Sequence, residues 1–380
     1  MNITIIANGF QEDYITNLLN NLAGKVEKID FIGSDIHQKR EIDKRIVTYN
    51  LRGEHKENVP FLSKVIRNIR YYLRLAVYLL KSRSTLVHVQ YFRLKIIEGI
   101  LFSLFIRMLG KKAVYTAHDV LPHSHDNAFN RLIYRVIYSL QHVIIAHTSF
   151  IKNRIINEFG IKPEKIRYTR HGVYQREIHG EITREKARAK LAIPNEATVF
   201  LFFGIIAAYK GPDILLRSFA SLPDPKNIHL VFAGKVSVEY RQEFESLLAA
   251  FPSAHITKHL SYIKDEDIEY YFNAADATVL HYKEASQSGV LFMSYTYGIP
   301  VIVPDIGEFP EDIIPGKTGY VFKANDYHDL ADTLLRFTKE ENISGPVSKE
   351  FIRNFALNNY SWDDSCIELV NAYNTCIKIP

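Results

Sequence analysis

At 380 residues the chain is longer than one typical hydrophobic core and predicts two domains. Its hydrophobic content of 47% and charged content of 23% are ordinary for a globular protein, and two cysteines exclude a disulfide framework. The net charge of +5 conceals a split, because residues 1–180 carry 28 Lys+Arg against 15 Asp+Glu, and residues 181–380 carry 19 against 27. A basic first half predicts an anionic partner, either nucleic acid or an anionic lipid surface.

The N-terminal segment predicts a strand and not a targeting signal. Residues 1–7, Met-Asn-Ile-Thr-Ile-Ile-Ala, lack the basic start and the longer apolar run of a signal peptide. No stretch has the roughly 20 consecutive apolar residues that cross a bilayer. We therefore expect a cytoplasmic protein.

Strands and helices alternate through the first half. Short apolar runs predict strands at 3–7, 28–32, 46–49, 86–90, 113–117, 143–146 and 166–168, with helical patterns between most of them. The segment 61–80 is a long helical pattern in which Lys64, Arg67, Arg70 and Arg74 recur every three or four residues on one face. Such a basic amphipathic helix is typical of attachment to an anionic membrane, and the alternative is a core helix with a solvated face.

A polar loop rich in titratable groups follows the strand at 113–117. It begins His118-Asp119 and continues through His123 and His125. Loops after parallel strands are where α/β proteins place their chemistry, so His118 and Asp119 are candidates for substrate contact or a general base. Asp119 has the alternative role of a helix cap. We predict no metal, because no Glu or Cys completes a ligand set around the histidines.

The alternation of strands and helices resumes after a charged connector at 174–194. Strands are predicted at 199–203, 229–233, 256–260, 277–280 and 301–303, with a loop from Gly204 to Gly211 that contains Lys210 and a turn at Gly234. Two alternating units predict an α/β fold of two Rossmann-like, doubly wound domains that face each other across a cleft.

The stretch from Tyr282 to Pro304 is the centre of the second half. It reads as a strand, a polar loop, a helix closed by Gly298, and another strand. In this βαβ arrangement the helix N-terminus meets the carboxyl end of the sheet, where an anion binds. An ordinary capped helix in an α/β core is the alternative. The residues placed at the anion position are Ser286, Gln287, Ser288, Gly289 and Val290.

Together these motifs resemble the family 4 glycosyltransferases of the two-Rossmann-domain, or GT-B, architecture. The resemblance covers nearly the whole chain and is carried by the Gly204–Gly211 loop, Ala233-Gly234, the stretch 282–304, Gly316-Lys-Thr-Gly319 and Tyr360-Ser361-Trp362. In the first half Asn8-Gly9, His118-Asp119 and His171-Gly172-Val173 stand where the family has its Gly loop, active-site His and domain-end turn. The resemblance implies an N-terminal acceptor domain at 1–178 completed by a helix at 361–380, and a nucleotide-sugar domain at 179–360.

Sugar transfer from a nucleotide-diphosphate sugar is the activity that the resemblance implies. It places Gly9, Gly204, Lys210, Gly234 and the 286–290 loop at the donor, and Glu284 near the first carboxylate of the family's Glu-x7-Glu motif. Two departures stand out: the second Glu position is Met293, and the basic companion of Lys210 is missing near Ala207. Lys235, Arg170 and Lys283 are candidate substitutes.

We therefore expect a metal-independent hexosyltransferase without a cofactor, which moves sugar from a UDP- or GDP-linked donor to a lipid-linked saccharide acceptor of surface polysaccharide. Arg67, Arg70 and Arg74 would hold it peripherally on the anionic inner face of the plasma membrane, and no nucleic acid is expected as a partner. The alternatives are a non-catalytic GT-B scaffold protein and a nucleotide-sugar epimerase. Donor base, donor sugar, acceptor, stereochemical outcome and oligomeric state stay open.

Overall fold

The structure is a computed structural model that describes residues 1–8, 11–35, 41–53, 60–121, 126–175, 178, 180–225, 227–251, 255–344 and 348–378. The chain divides into two compact units. The first consists of Met1–Gly172 together with the segment from Tyr360 onward, and the second is Val173–Asn359. The sequence-based division after residue 178 therefore lies a few residues beyond the division in the structure.

The first unit is built on a seven-stranded sheet in which every pair of neighbouring strands is parallel. The strand order is β3-β2-β1-β4-β5-β6-β7. Its elements are β1 (Asn2–Ile6), α1 (Glu12–Leu22), β2 (Lys28–Ile32), β3 (Ile46–Tyr49), α2 (Phe61–Lys81), β4 (Leu86–Val89), a π-helix (Lys95–Phe102), α3 (Ser103–Met108), β5 (Lys112–Ala117), α4 (Ala128–Leu140), β6 (Val143–Ala146), α5 (Ser149–Phe159), a 3₁₀ turn (Pro163–Lys165) and β7 (Ile166–Tyr168).

The second unit contains a six-stranded parallel sheet of order β10-β9-β8-β11-β12-β13. Its elements are α6 (Arg184–Leu191), β8 (Thr198–Phe203), a 3₁₀ turn (Ala208–Lys210), α7 (Pro212–Ala220), β9 (Ile228–Ala233), α8 (Arg241–Ala249), β10 (Ile256–His259), α9 (Asp265–Ala274), β11 (Ala277–Val279), α10 (Gly289–Thr296), β12 (Val301–Pro304), a 3₁₀ turn (Phe309–Asp312), β13 (Gly319–Phe322), α11 (Tyr327–Ser344) and α12 (Lys349–Asn359). The last helix, α13 (Trp362–Lys378), belongs to the first unit.

Both sheets are doubly wound, and the predicted α/β class with two Rossmann-like domains is confirmed. Strands that are buried on both faces have continuous apolar sequences, which is why the predicted strand positions lie close to those in the structure. Each sheet has one point at which the strand order reverses, between β1 and β4 in the first unit and between β8 and β11 in the second. In such sheets the loops leaving the two strands at that point diverge and form the ligand crevice.

One helix differs from its prediction. The sequence predicts an ordinary helix over 95–109, whereas the structure has a π-helix at Lys95–Phe102 followed by the short α3. The buried Glu98 carboxylate accepts hydrogen bonds from the backbone N–H of Arg93 at 2.6 Å and from the Tyr72 hydroxyl at 2.8 Å. Glu98 thereby ties the turn before the helix to the helix itself. A nearly uniform apolar segment carries no periodicity that separates a π-helix from an α-helix.

Candidate functional site

The predicted donor residues of the second unit meet at its topological switch point. Lys210 lies on the loop that leaves β8, and Tyr282 lies on the loop that leaves β11. The Lys210 ammonium donates a hydrogen bond to the Tyr282 hydroxyl at 3.1 Å, and that hydroxyl is 3.1 Å from Ser288 Oγ. A chain of three polar groups therefore links the two loops at the carboxyl edge of the sheet.

Glycines allow these loops to approach one another. A Cβ atom at Gly234 would lie 1.9 Å from the Gly204 carbonyl oxygen, so the turn after β9 packs directly on the turn after β8. Gly211 has a φ of +62°, and a Cβ there would lie 2.4 Å from the His281 carbonyl oxygen. Only glycine meets both demands at Gly211 without displacing backbone. The structure thus gives Gly204 and Gly234 a packing role at the predicted donor site.

Lys210 is a buried cation without a carboxylate partner among the described residues. It is 9% exposed, and none of the ion pairs in the described part of the chain includes it. Burial alone lowers the pKa of Lys210, but electrostatic interaction with Tyr282 and Tyr209 and the hydrogen bond to Tyr282 outweigh burial, so the pKa is raised. The ammonium therefore stays charged at neutral pH, and its charge is available to an anionic ligand.

A second lysine of this region, Lys283, already forms an ion pair. Lys283 lies 2.9 Å from a carboxylate oxygen of Asp213 on α7, so its charge is compensated within the second unit. Lys235 is exposed on the turn after β9. Arg170 belongs to the first unit, where it donates to the Tyr168 hydroxyl at 3.3 Å. Lys283 is thus excluded by its ion pair, and Arg170 lies in the other unit. Among the described residues, Lys235 is the suggested substitute that lies beside the Gly204 loop and has no ion pair.

The loop at 286–290 ends in the N-terminus of α10. Ser288 is the N-cap, and its Oγ accepts a hydrogen bond from the Val290 N–H at 3.2 Å. A helix N-terminus carries partial positive charge, which attracts phosphate groups. A Cβ at Gly289 would lie 2.6 Å from the Tyr174 hydroxyl, so glycine allows this tyrosine to reach the helix end. Ser286 is buried, and Gln287 is half-buried beside it.

The carboxylates are arranged differently from the family pattern. Glu284 is exposed, and Met293 is buried in the second turn of α10 with 8% of its surface exposed. A further acid, Glu308, is 7% exposed on the loop after β12, and its N–H donates to the Ser286 carbonyl at 3.2 Å. Gly307 allows this approach, since a Cβ there would lie 2.4 Å from the Ala285 carbonyl oxygen. Sequence reasoning missed Glu308, Tyr174 and the bridging role of Tyr282.

In the first unit His118 and Asp119 follow β5, as predicted. His118 packs edge-on against the Tyr14 ring at 5.0 Å between ring centroids and lies 5.3 Å from the His147 ring. Burial, followed by the neighbouring histidines, holds the pKa of His118 well below its usual value. A neutral imidazole with so low a pKa is a weak general base, so His118 suits a hydrogen-bonding role, and Asp119 remains the candidate base of the two.

His118 is one of four histidines contributed by four neighbouring strands or by the loops that leave them. His147 Nδ1 faces the Thr169 carbonyl at 2.8 Å and must carry the proton, which leaves Nε2 to accept from the Tyr14 hydroxyl at 2.9 Å. Burial lowers the pKa of His147 to about 4, and burial with the neighbouring His147 lowers those of His88 and His171 to about 3. Sequence reasoning missed His88 and His147, which stand in apolar strand context.

No group of three or more His, Cys, Asp and Glu side chains within the described ranges is arranged to hold a metal ion. His123 and His125 lie outside those ranges, as does the predicted donor residue Gly9. None of the helices in the described part of the chain is both long enough and apolar enough to cross a bilayer.

The predicted basic helix is present as α2. Arg70 and Arg74 are exposed and Arg67 is half-buried, while Tyr71, Leu75 and Leu79 of the same helix enter the core. The outer side also carries large apolar residues at intervals of three or four positions, which form the apolar strip of α2. That strip consists of Leu62, Ile66, Ile69, Leu73, Val77 and Leu80.

Two family models match the chain, one on each unit. The model described as Glycosyltransferase Family 4 matches residues 11–175, and the model described as Glycosyl transferases group 1 matches residues 183–355. D-inositol 3-phosphate glycosyltransferase from Streptomyces avermitilis is 24% identical over 257 residues, which are 64% of this chain and 55% of the relative. The chain thus spans about half the length of the curated relatives it matches.

Solved structures match over almost the full length. Sucrose-phosphate synthase from Thermosynechococcus elongatus has a TM-score of 0.78 at 16% identity, covering 99% of this chain and 98% of that one. HepE from Anabaena, solved in complex with UDP and glucose, has a TM-score of 0.76 at 12% identity, covering 99% and 100%. These likenesses establish the GT-B fold. By the two family models, which together match residues 11–175 and 183–355, the chain belongs to the family-4-like glycosyltransferases.

Proposed function

We propose that the protein transfers a hexose from a nucleotide-diphosphate sugar, UDP- or GDP-linked, to a lipid-linked saccharide acceptor in surface polysaccharide biosynthesis. The observation that carries the proposal is Lys210, a buried ammonium without a carboxylate partner in the described residues. It stands at the switch point of the second unit, one hydroxyl away from the N-cap of α10. A cation and a helix N-terminus at the switch point of a parallel sheet are what α/β proteins use to bind phosphate groups, which supports a diphosphate ligand.

The chemistry follows from charge. Breaking the bond between sugar and diphosphate leaves negative charge on the departing oxygen, and a group that meets this charge lowers the barrier. Lys210 supplies a full positive charge and the N-terminus of α10 a partial one, so the proposed reaction is metal-independent and needs no cofactor. Gly204, Gly234 and Gly289 bring backbone close enough for these groups to converge.

Recognition of the sugar and the ribose needs carboxylates, which accept hydrogen bonds from hydroxyl pairs. Glu284 stays the candidate for the donor sugar, although it is exposed. Met293 offers no acceptor for the ribose, and the buried Glu308 on the neighbouring loop is our candidate to take its place. In the first unit Asp119 is the candidate base toward the acceptor hydroxyl, with neutral His118 as a hydrogen-bond partner.

A nucleotide titration tests the donor site. We expect a UDP- or GDP-sugar to bind the full chain and Lys210→Ala to weaken binding by about 1.5–3 kcal/mol, roughly 10- to 150-fold, as expected for loss of a charge-assisted contact. Lys258→Ala is the matched control, since Lys258 is an exposed lysine on the edge strand β10. Unchanged affinity in Lys210→Ala would remove Lys210 from the site. A chain that binds no nucleotide would favour the non-catalytic scaffold.

Peripheral attachment to the inner face of the plasma membrane belongs to the same proposal. On α2 the basic residues Arg67, Arg70 and Arg74 lie beside the apolar strip, so one helix side offers both cations for anionic headgroups and apolar side chains for the acyl boundary. Neutralising all three to Gln should abolish flotation with anionic liposomes. The matched control neutralises three exposed basic residues of the second unit, Arg241, Lys258 and Lys264. Equal flotation of the two triple variants would contradict the assignment.

A further inference from the structure

The first unit contains a cavity of about 770 Å³ at the carboxyl ends of β4 and β5. It lies beside the switch point of this sheet, between the turn that leads into the π-helix and the loop that begins at His118. Asp119 lines it together with aromatic, aliphatic and basic side chains. A cavity of this volume accommodates a ligand of small-molecule size.

The inner wall is aromatic and already in place. Phe92 and Tyr115 stack with ring centroids 4.3 Å apart, and both are buried, as is Tyr134. Tyr138 supports the wall from behind, where its ring lies 6.3 Å from the Tyr115 ring and its hydroxyl donates to the Val120 carbonyl at 2.7 Å. A wall held in this way binds an apolar chain without paying to order its own side chains.

The rim combines cations with exposed aliphatic residues. Arg93 and Lys95 both line the cavity, and neither takes part in an ion pair among the described residues. Lys95 donates to the neutral side chain of Asn130, so its charge is not compensated there. Leu94 and Ile96 alternate with these cations and are more than 40% exposed. The buried Glu98 accepts a hydrogen bond from the Arg93 N–H and so anchors the backbone of this turn.

The apolar rim continues onto the outer side of the unit. Leu101 of the π-helix and Leu104 and Met108 of α3 are exposed on the same helical segment as Ile96. The π-helix packs against α2, where the Tyr72 and Phe102 rings lie 5.5 Å apart, and α2 carries the apolar strip. Two packed helical segments, one of which borders the cavity, therefore both present exposed apolar side chains that a lipid chain can cover.

We infer that this cavity binds the phosphate-bearing end of the acceptor's lipid, with the aromatic wall holding the first carbons of the chain and Arg93 and Lys95 holding the phosphate. The ligand chemistry is an anionic phosphate joined to an apolar chain, and isoprenoid diphosphates and phosphoglycerolipids both supply it. Asp119, on the same cavity, would then meet the saccharide attached to that phosphate. The inference rests on the proposed function, because it assumes that the acceptor is lipid-linked.

Calorimetric titration of the full chain carrying Lys210→Ala tests it, because that change weakens diphosphate binding at the proposed donor site. Nucleotide is absent, and each probe stays below its micelle-forming concentration. The probes are farnesyl diphosphate, dihexanoyl phosphatidic acid, farnesol and inorganic diphosphate. We expect farnesyl diphosphate or the phosphatidic acid to bind at least tenfold more tightly than farnesol and than inorganic diphosphate. The tighter of the two amphiphiles identifies the source of the lipid. Farnesol or inorganic diphosphate binding as tightly as the tighter of the two amphiphiles would overturn the inference.

Rim variants locate the binding without disturbing the core. The double variant Arg93→Gln, Lys95→Gln should weaken the preferred amphiphile 10- to 100-fold, and Ile96→Asp should weaken it tenfold or more. Val238→Asp is the control, since Val238 is a highly exposed aliphatic residue of the second unit. Unchanged affinity in both rim variants would place the lipid elsewhere. If neither amphiphile binds but the unaltered chain still binds nucleotide in a Lys210-dependent way, this inference is wrong and the proposed donor site is unaffected.

Discussion

The histidine cluster of the first unit predicts a steep loss of stability in mild acid. His88, His147 and His171 are fully enclosed, and burial lowers their pKa values to about 3, about 4 and about 3. In the unfolded chain a histidine titrates near 6.5. Because the folded pKa is the lower one, the unfolded state binds more protons below pH 6.5. The contribution of these histidines to the unfolding free energy is therefore fully present above pH 6.5 and is lost as the pH falls toward 3.

The magnitude can be worked out for pH 5. At pH 5, which is 1.5 units below the unfolded pKa of 6.5, protonation of each histidine stabilises the unfolded state by about 1.4 kcal/mol per pH unit, or about 2 kcal/mol. The three histidines together lower the unfolding free energy by about 6 kcal/mol. His118, whose pKa is lowered well below its usual value, acts in the same direction. His142 of the same unit, whose pKa is lowered to about 4, acts in the same direction, but it is only half-buried, so solvent screening reduces its contribution.

The single tryptophan gives a direct assay. Trp362 packs on Tyr14 and His171 at 5.3 and 5.8 Å between ring centroids, so its fluorescence reports unfolding of the first unit. The unfolding free energy measured by urea titration should be several kcal/mol lower at pH 5 than at pH 8. His88→Gln should reduce the proton uptake on unfolding by about one. An unfolding free energy that changes by less than about 1 kcal/mol between the two pH values would refute the reasoning.

Three further predictions concern the second unit. Tyr282→Phe removes the hydroxyl between Lys210 and Ser288 and should weaken nucleotide-diphosphate binding by about 1 kcal/mol in a titration, with little change in melting temperature. Glu308→Gln should weaken binding of the nucleoside diphosphate about tenfold while leaving that of inorganic diphosphate unchanged; equal loss for both ligands would show that Glu308 does not recognise the ribose. Gly211→Ala places a Cβ 2.4 Å from the His281 carbonyl oxygen at a φ of +62° and should lower the unfolding free energy of the second unit by about 1–3 kcal/mol, measured by circular dichroism; a wild-type melting curve would show that the loop relaxes freely.

The fold could be predicted because its signals are local. The strand at Val143–Ala146 is a continuous apolar run, and the helix after it begins at Ser149, with Thr148 as its N-cap accepting a hydrogen bond from the Ile151 N–H. Gly298, with a φ of +70°, follows the end of α10 as its sequence position suggested. Capping and apolar runs are properties of a few neighbouring residues, so one sequence is enough to find them.

The site could be predicted only in outline, because its decisive features are contacts between distant residues. Nothing near Lys283 shows that Asp213 on another element neutralises it, nor does the sequence show that Lys210 has no such partner in the described residues. The sequence does not single out Glu308, because the loop that brings it to Ser286 follows a different strand. The choice between His118 and Asp119 as base likewise depends on how deeply the folded chain encloses the imidazole.

The most direct test of the donor site is a structure of the protein with a bound UDP- or GDP-sugar. The account predicts that the diphosphate lies between the Lys210 ammonium and the helix end at Ser288–Val290, with phosphate oxygens within hydrogen-bond distance of Lys210 Nζ. A sugar nucleotide whose phosphates contact neither of these groups would contradict it.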